Sequence, residues 1–142
     1  MLGLADAAHA EYGADPQTAL ITPAACAIPD DRDGARLKGK QRVRLTPGSR
    51  AARAYGSTEI AAEFHCRNEL NRRYQVLFER GDLRVVGVGD QGEARVVELT
   101  GARFFIATLF LPQMASLAGE LNPLIDAFVQ AAARLSSHTA AP

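Results

Sequence analysis

Residues 41–45 read as a strand whose polar and apolar positions alternate from Arg42 to Leu45, the pattern of a strand with one face in a core. Residues 18–22 and 60–68 read as further extended segments, and residues 83–88 and 94–99 as two strands. Those two are joined through Gly89-Asp90-Gln91-Gly92. Asp and Gly tolerate the positive φ of a tight turn, so a β-hairpin is expected. Residues 104–110, Phe-Phe-Ile-Ala-Thr-Leu-Phe, are almost continuously apolar, as in a strand buried on both faces.

Helical spacing appears elsewhere. Tyr74, Leu77 and Phe78 fall at i, i+3 and i+4, behind Asn71 as a start and ahead of Gly81, whose left-handed conformation would stop the helix. Asn122-Pro123 supplies a cap and a proline at the first helical position. Leu124, Ile125, Phe128, Val129 and Leu135 then make one apolar stripe, which should pack on the sheet. Residues 4–12 are alanine-rich and predict a helix, broken by residues 13–16. Pro47-Gly48-Ser49 makes a turn from which Ser49 can cap a short helix through Ala54. Residues 29–39 read as a surface loop, and the small, polar residues 136–142 as a disordered tail, which leaves one domain over residues 1–135. Strands outnumber helices, but the apolar strand and the amphipathic last helix argue for a layered α/β domain.

Composition narrows the function. The 142 residues, 47% of them hydrophobic, suffice for one core. With 16 basic and 16 acidic residues the net charge is zero, so neither nucleic acid nor an acidic membrane is an expected partner. The arginines between Arg32 and Arg53 alternate with Asp30, Asp31, Asp33 and apolar residues, as on a solvated loop and strand. Two cysteines make no disulfide framework and form no metal cluster with the three histidines, so no metal or cofactor is expected. That usage suits a reducing cytoplasm, and neither a signal peptide nor an apolar run of membrane length is evident. Gly87, Gly89 and Gly92 are not a phosphate loop, because a strand rather than a helix follows them.

Cys66 is the candidate nucleophile. In an extended strand its neighbour His65 points to the other face with Arg67, which argues against a dyad. Cys66 therefore reads either as an inert buried thiol or as a redox or nucleophilic one. Cys26 reads as a packed hydrophobe, and His9 and His138 suggest no site.

The segment Phe-Phe-Ile-Ala-Thr-Leu-Phe-Leu-Pro-Gln, ending at Gln113, resembles the last strand and turn of class I glutamine amidotransferases, above all the amidotransferase domain of CTP synthase, where it runs Phe-Val-Ala-x-Gln-Phe-His-Pro-Glu. Leu111 stands at the histidine, Gln113 at the glutamate and Leu109 at the preceding glutamine. Further segments resemble the same domain in order: Leu-Thr-Pro-Gly-Ser from Leu45, Gly-Asp-Leu-Arg-Val-Val-Gly ending at Gly87, Glu98 in a Val-Glu pair, and the helix from Asn122 to Ala132. Phe64-His65-Cys66-Arg67-Asn68-Glu69-Leu70-Asn71 is similar to the family's His-Arg-His-Arg-Tyr-Glu-Val-Asn, retaining Arg67, Glu69 and Asn71. Proteins described as CTP synthase C-terminal-region-related resemble it further, with cysteine at the position of Cys66 and Pro-Gln after the last strand.

The resemblance implies a class I amidotransferase-like, flavodoxin-like three-layer α/β domain whose N-terminal part, with the Gly-x-Cys-x-Gly nucleophile elbow, is missing. It also implies that Arg67, and Glu11 in His-Ala-Glu-Tyr, contact a glutamine substrate. The catalytic base and its partner are replaced: an alkyl Leu111 accepts no proton, and Gln113 brings no carboxylate to an imidazole. The expected function is a degenerate, catalytically inactive domain, associated with pyrimidine metabolism, that retains binding of glutamine, a related small molecule or a partner. The alternatives are a divergent hydrolase or redox enzyme using Cys66, or a truncated piece of a CTP synthase-related protein. A half sheet would leave an edge and an apolar face for a homo-oligomer or partner to cover.

Overall fold

The structure, a computed structural model, describes residues 3–25 and 37–139. Its strands are β1 (Ile21–Pro23), β2 (Leu37–Leu45), β3 (Glu59–Cys66), β4 (Asn68–Leu70), β5 (Leu83–Val88), β6 (Ala94–Leu99) and β7 (Ile106–Thr108). Its helices are α1 (Arg50–Tyr55), α2 (Met114–Leu117) and α3 (Pro123–Thr139), with 3-10 helices at Ala10–Tyr12 and Arg72–Glu79.

Five strands form an antiparallel sheet in the order β3-β2-β5-β6-β7, and β1 pairs with β4 in a separate ribbon. The alternating segment becomes part of the long β2, which pairs with β3 from Leu37 opposite Cys66 to Arg44 opposite Glu59. The β5–β6 hairpin has the bounds that the sequence predicts, and Gly92 takes the positive φ of its turn (78°). Beyond β7 the chain crosses to the opposite edge of the sheet, where the Leu111 N–H donates to the Glu63 carbonyl at 3.0 Å. The sheet is thereby curled.

Alternation decides what the curl encloses. Leu37, Val43, Leu45, Phe64, Val96 and Phe110 are buried together, with the Phe64 and Phe110 ring centroids 5.8 Å apart. Ala51 and Ala52 of α1 close this core. Each large aliphatic or aromatic side chain so buried contributes about 1.5–3 kcal/mol. A second core of Leu70, Phe78 and Ala94, flanked by Leu83, Val85 and Val97, joins the sheet to the β1–β4 ribbon and the second 3-10 helix. The α/β class read from the pattern is present.

Capping follows the residue types. The Ser49 side chain accepts from the Ala52 N–H, and Gly56 (φ 65°) ends α1. Asn122 Oδ1 accepts from the Leu124 N–H at 2.9 Å, with Pro123 first in α3.

Several expectations are corrected. Residues 4–12 make no α-helix: His9 is extended and bridges Ile21, leaving one 3-10 turn closed by Gly13 at φ 86°. A long-range pairing overrides alanine's helical preference. The first strand starts later than residue 18, because the Thr18 and Ala19 N–H groups both donate to the Asp15 carbonyl in a turn. The helix after Asn71 is 3-10 rather than α; Asn71 does cap it, but Gly81 is not left-handed and the preceding Arg80 is right-handed. Residues 104–110 supply only the three-residue β7, at the sheet edge, with Phe105 44% exposed. Phe105 and Ala107 are exposed while Ile106 and Thr108 are half-buried, so only one face of the strand is covered. Helix α3 packs against α1; Phe128 meets the Phe104 ring at 5.7 Å, yet Phe128 and Val129 remain exposed. It runs to Thr139, into the stretch the sequence assigns to a tail. From the expected 29–39 loop, residues 37–39 belong to β2; the remainder, like Cys26, lies outside the described residues. Among the described residues no helix is long and apolar enough to cross a membrane.

Candidate functional site

The alternation of β3 sends Ala62, Phe64 and Cys66 towards the core and His65 to the exposed face. Cys66 is half-buried, packed against the first core, and its thiol donates to the Leu109 carbonyl at 3.4 Å. That acceptor takes no proton at ordinary pH, so it orients the thiol without activating it.

The turn after β7 is held from both sides. The Leu111 N–H bonds Glu63, and the Leu111 carbonyl accepts from the Met114 N–H at 3.1 Å. Leu111 is half-buried, whereas Gln113 is exposed at the N-cap position of α2 and makes no side-chain cap. Leu111 lines a groove of about 520 Å³ between β3 and the α2–α3 connection, whose walls include Lys40, Tyr55, Glu63, Met114 and Asn122. Lys40 and Glu63 are register partners, so the groove wall carries both signs of charge. The Tyr55 hydroxyl donates to Asn122 Oδ1 at 3.4 Å, and burial raises its pKa above the ordinary phenol value of 10.0.

Glu11 and Arg67 are both exposed and lie on opposite sides of β1. The Glu11 turn follows His9, which bridges Ile21, while Arg67 precedes β4, its carbonyl accepting from the Ala24 N–H at 2.9 Å. His9 Nδ1 accepts from the Glu11 N–H at 3.1 Å, a local structural role. Asn71 is a tether as well as a cap: its Nδ2 donates to the carbonyls of Gln17 (3.2 Å) and Ala19 (3.0 Å).

Sequence reasoning missed a buried ionic cluster. Arg95 donates to Glu69 Oε2 at 3.2 Å and to Glu93 Oε1 at 2.8 Å, and its guanidinium lies 5.2 Å from the Phe64 ring centroid. Glu69 also accepts from the Ala25 N–H at 3.0 Å, Glu93 accepts from the Gln91 N–H at 2.9 Å, and Arg72 approaches Glu93 at 3.7 Å. The available signal was an arginine between Ala94 and Val96 in a strand otherwise suited to a core. Among the described residues no group of three or more His, Cys, Asp or Glu could hold a metal ion.

No family model matches the chain. It is 33% identical to the CTP synthase of Chloroflexus aurantiacus over 140 residues, covering 94% of this chain and 25% of that protein. The CTP synthase of Gluconobacter oxydans is 32% identical over 144 residues (94% and 26%), and that of Synechococcus sp. 30% over 138 residues (93% and 25%). The chain thus spans about a quarter of the length of these curated relatives. Among solved structures it is similar to the Trypanosoma brucei CTPS glutaminase domain with bound acivicin, with a TM-score of 0.78, 24% identity, and coverage of 94% of this chain and 53% of that one. In sequence the chain is related to CTP synthase, and in fold it is similar to the CTPS glutaminase domain.

Proposed function

We propose that this chain is an amidotransferase-like domain that does not hydrolyse glutamine and instead binds a small amino acid or amide, or a partner protein. The observation that carries the reading is the turn after β7, where Leu111 and Gln113 occupy the positions at which the family resemblance calls for a histidine and a glutamate. Neither can relay a proton between a thiol and a leaving amide. Cys66 supports the same reading, because its hydrogen bond runs to a backbone carbonyl and the adjacent His65 faces away. The relationship to CTP synthase associates the domain with pyrimidine metabolism, and its cysteine usage with a reducing cytoplasm.

For the ligand, Arg67 is assigned to a carboxylate and Glu11 to an ammonium group, since a guanidinium matches a carboxylate bidentately. Both side chains are exposed and flank the same strand, β1.

The test has two arms. Incubation with glutamine should release no ammonia above a protein-free blank, and Cys66 should alkylate at the rate of an ordinary thiol. Turnover that disappears in Cys66→Ala would replace this reading with Cys66 chemistry. Calorimetric titration with glutamine and with acivicin should give binding that weakens at least tenfold in Arg67→Ala and in Glu11→Ala. Binding indifferent to both substitutions removes the assignment of these residues.

A further inference from the structure

We infer that Asn71, Tyr74 and Glu69 are positioning residues: they hold β1 at both ends and so fix the separation of Glu11 from Arg67. This role rests on the assignment of Glu11 and Arg67 to the ligand made above. Glu11 travels with β1, because the Ala8 carbonyl accepts from the Leu20 and Ile21 N–H groups at 2.9 and 3.3 Å. Arg67 travels with β4, which it directly precedes. The register of β1 on β4, from Ile21 opposite Leu70 to Pro23 opposite Asn68, therefore sets how far apart the two charges stand.

That register is poorly protected by its own ladder. The ribbon is three residues long, and Pro23 brings no N–H to it. Two-stranded ribbons are marginal in water. None of the three β1 residues is fully buried, so the burial that usually specifies register acts weakly here. A slip of two residues would displace Glu11 by about 7 Å against Arg67, more than the spacing of the carboxylate and ammonium groups of one amino acid.

Side chains supply the missing constraint. Ahead of β1, residues 15–19 form a turn that the Thr22 hydroxyl ties to the strand by donating to the Pro16 carbonyl at 2.9 Å. Three consecutive carbonyls of that turn are gripped from the side. Asn71 Nδ2 donates to Gln17 at 3.2 Å and to Ala19 at 3.0 Å, Arg73 Nη1 to Gln17 at 3.1 Å, and the Tyr74 hydroxyl to Thr18 at 2.6 Å. Behind β1, Glu69 Oε1 accepts from the Ala25 N–H at 3.0 Å while Arg95 holds Oε2 at 3.2 Å, which refers that end of the strand to the interior of the sheet. Residues 15–18 are exposed, and hydrogen bonds there add little stability because water competes for both partners. Their convergence on one short segment constrains where it sits.

The experiment compares glutamine with glutaramate, the same molecule without its α-ammonium group, by calorimetric titration of the whole chain. Glutaramate calls on Arg67 alone, so the ratio of the two affinities reads the placement of Glu11. The native chain should prefer glutamine at least tenfold. Two variants are checked for folding by circular dichroism. Asn71→Ser combined with Tyr74→Phe keeps a cap for the Arg73 N–H and the ring but removes the gripping donors. Glu69→Gln turns one of the two acceptor oxygens into a donor. Each should bring the preference close to unity and leave glutaramate affinity unchanged, whereas a general loss of folding weakens both ligands alike and keeps the ratio. Hydrogen exchange on the native chain needs no variant: a ligand that bridges both charges closes the ribbon, so saturating glutamine should slow the Leu20, Ala24 and Ala25 amides at least tenfold and glutaramate should not. A native chain that does not discriminate the two ligands removes the ligand assignment, and the positioning role with it. Discrimination that survives in both folded variants, or amides that respond alike to both ligands, overturns the positioning role and leaves the ligand assignment standing.

Discussion

Arg95 and Glu69 meet at 3.2 Å in the interior, their side chains only 2% and 7% exposed. The pair joins β6 to β4, Glu69 reaches on to the Ala25 N–H, and Arg95 reaches Glu93 below the hairpin turn. Strand β4, and through Glu69 the segment at Ala25, are thus tied to β6 by one guanidinium. A buried charge whose partner is removed costs about 3–5 kcal/mol, because the survivor stays desolvated without compensation. Glu69→Ala should therefore lower the free energy of urea unfolding by about 3 kcal/mol or more. A loss below about 1 kcal/mol would mean that water reaches the pair.

Gly87 admits no larger residue. A Cβ there would fall 2.6 Å from Val96 Cγ2 and 2.9 Å from Leu45 Cδ2, since β5 lies between β2 and β6 at a bulge. Gly87→Ala should destabilise by about 1–3 kcal/mol through overpacking. Adding Val96→Ala should recover part of that loss, a coupling that a double-mutant cycle would read directly. Strict additivity of the two would contradict the contact.

The start of α1 has two caps, one local and one remote. The Ser49 Oγ accepts from the Ala52 N–H at 3.0 Å, and Glu98 Oε1, arriving from β6, accepts from the Ala51 N–H at 2.7 Å. Ser49→Ala should cost about 1 kcal/mol. Glu98→Ala should cost more, about 1–3 kcal/mol, because it leaves a donor unpaired on a residue that is itself buried. Thermal unfolding of both single variants and the double variant would show whether the ranking holds.

Tyr55 gives the stability a dependence on alkaline pH. Its folded pKa is raised above 10.0, mainly by burial. The folded state thus holds the phenolic proton more tightly than the unfolded chain. The resulting stabilisation is fully present below the unfolded pKa and is lost as pH rises through the folded value. Between neutral pH and the alkaline limb, Tyr55→Phe should lose less stability than the native chain, and the difference between the two proteins should open only above the ordinary phenol range. Parallel curves would show that Tyr55 ionises as it does in water.

Local chemistry was legible from residue order. Ser49 and Asn122 are caps because a short side-chain acceptor beside a helix start has donors within reach, and β5 and β6 keep their predicted bounds because a Gly-Asp-Gln-Gly turn fixes both ends of a hairpin. The opposed faces of His65 and Cys66 follow from the two-residue repeat of any strand. Leu111 and Gln113 carry no proton relay in any fold, since neither an alkyl group nor a carboxamide titrates.

What surrounds those residues was decided by tertiary structure. Alanines at residues 4–12 favour a helix by propensity worth a few tenths of a kcal/mol each, too little to resist the pairing of His9 with Ile21. Phe105 reads as core from composition but stands at an edge, because strand order in a sheet is set by pairings that no local pattern encodes. The meeting of Glu69 and Arg95 was not legible for the same reason: a residue's partner across a fold is fixed only when distant segments pack. Sequence determined the chemistry that each side chain can offer, and packing determined which of those groups meet.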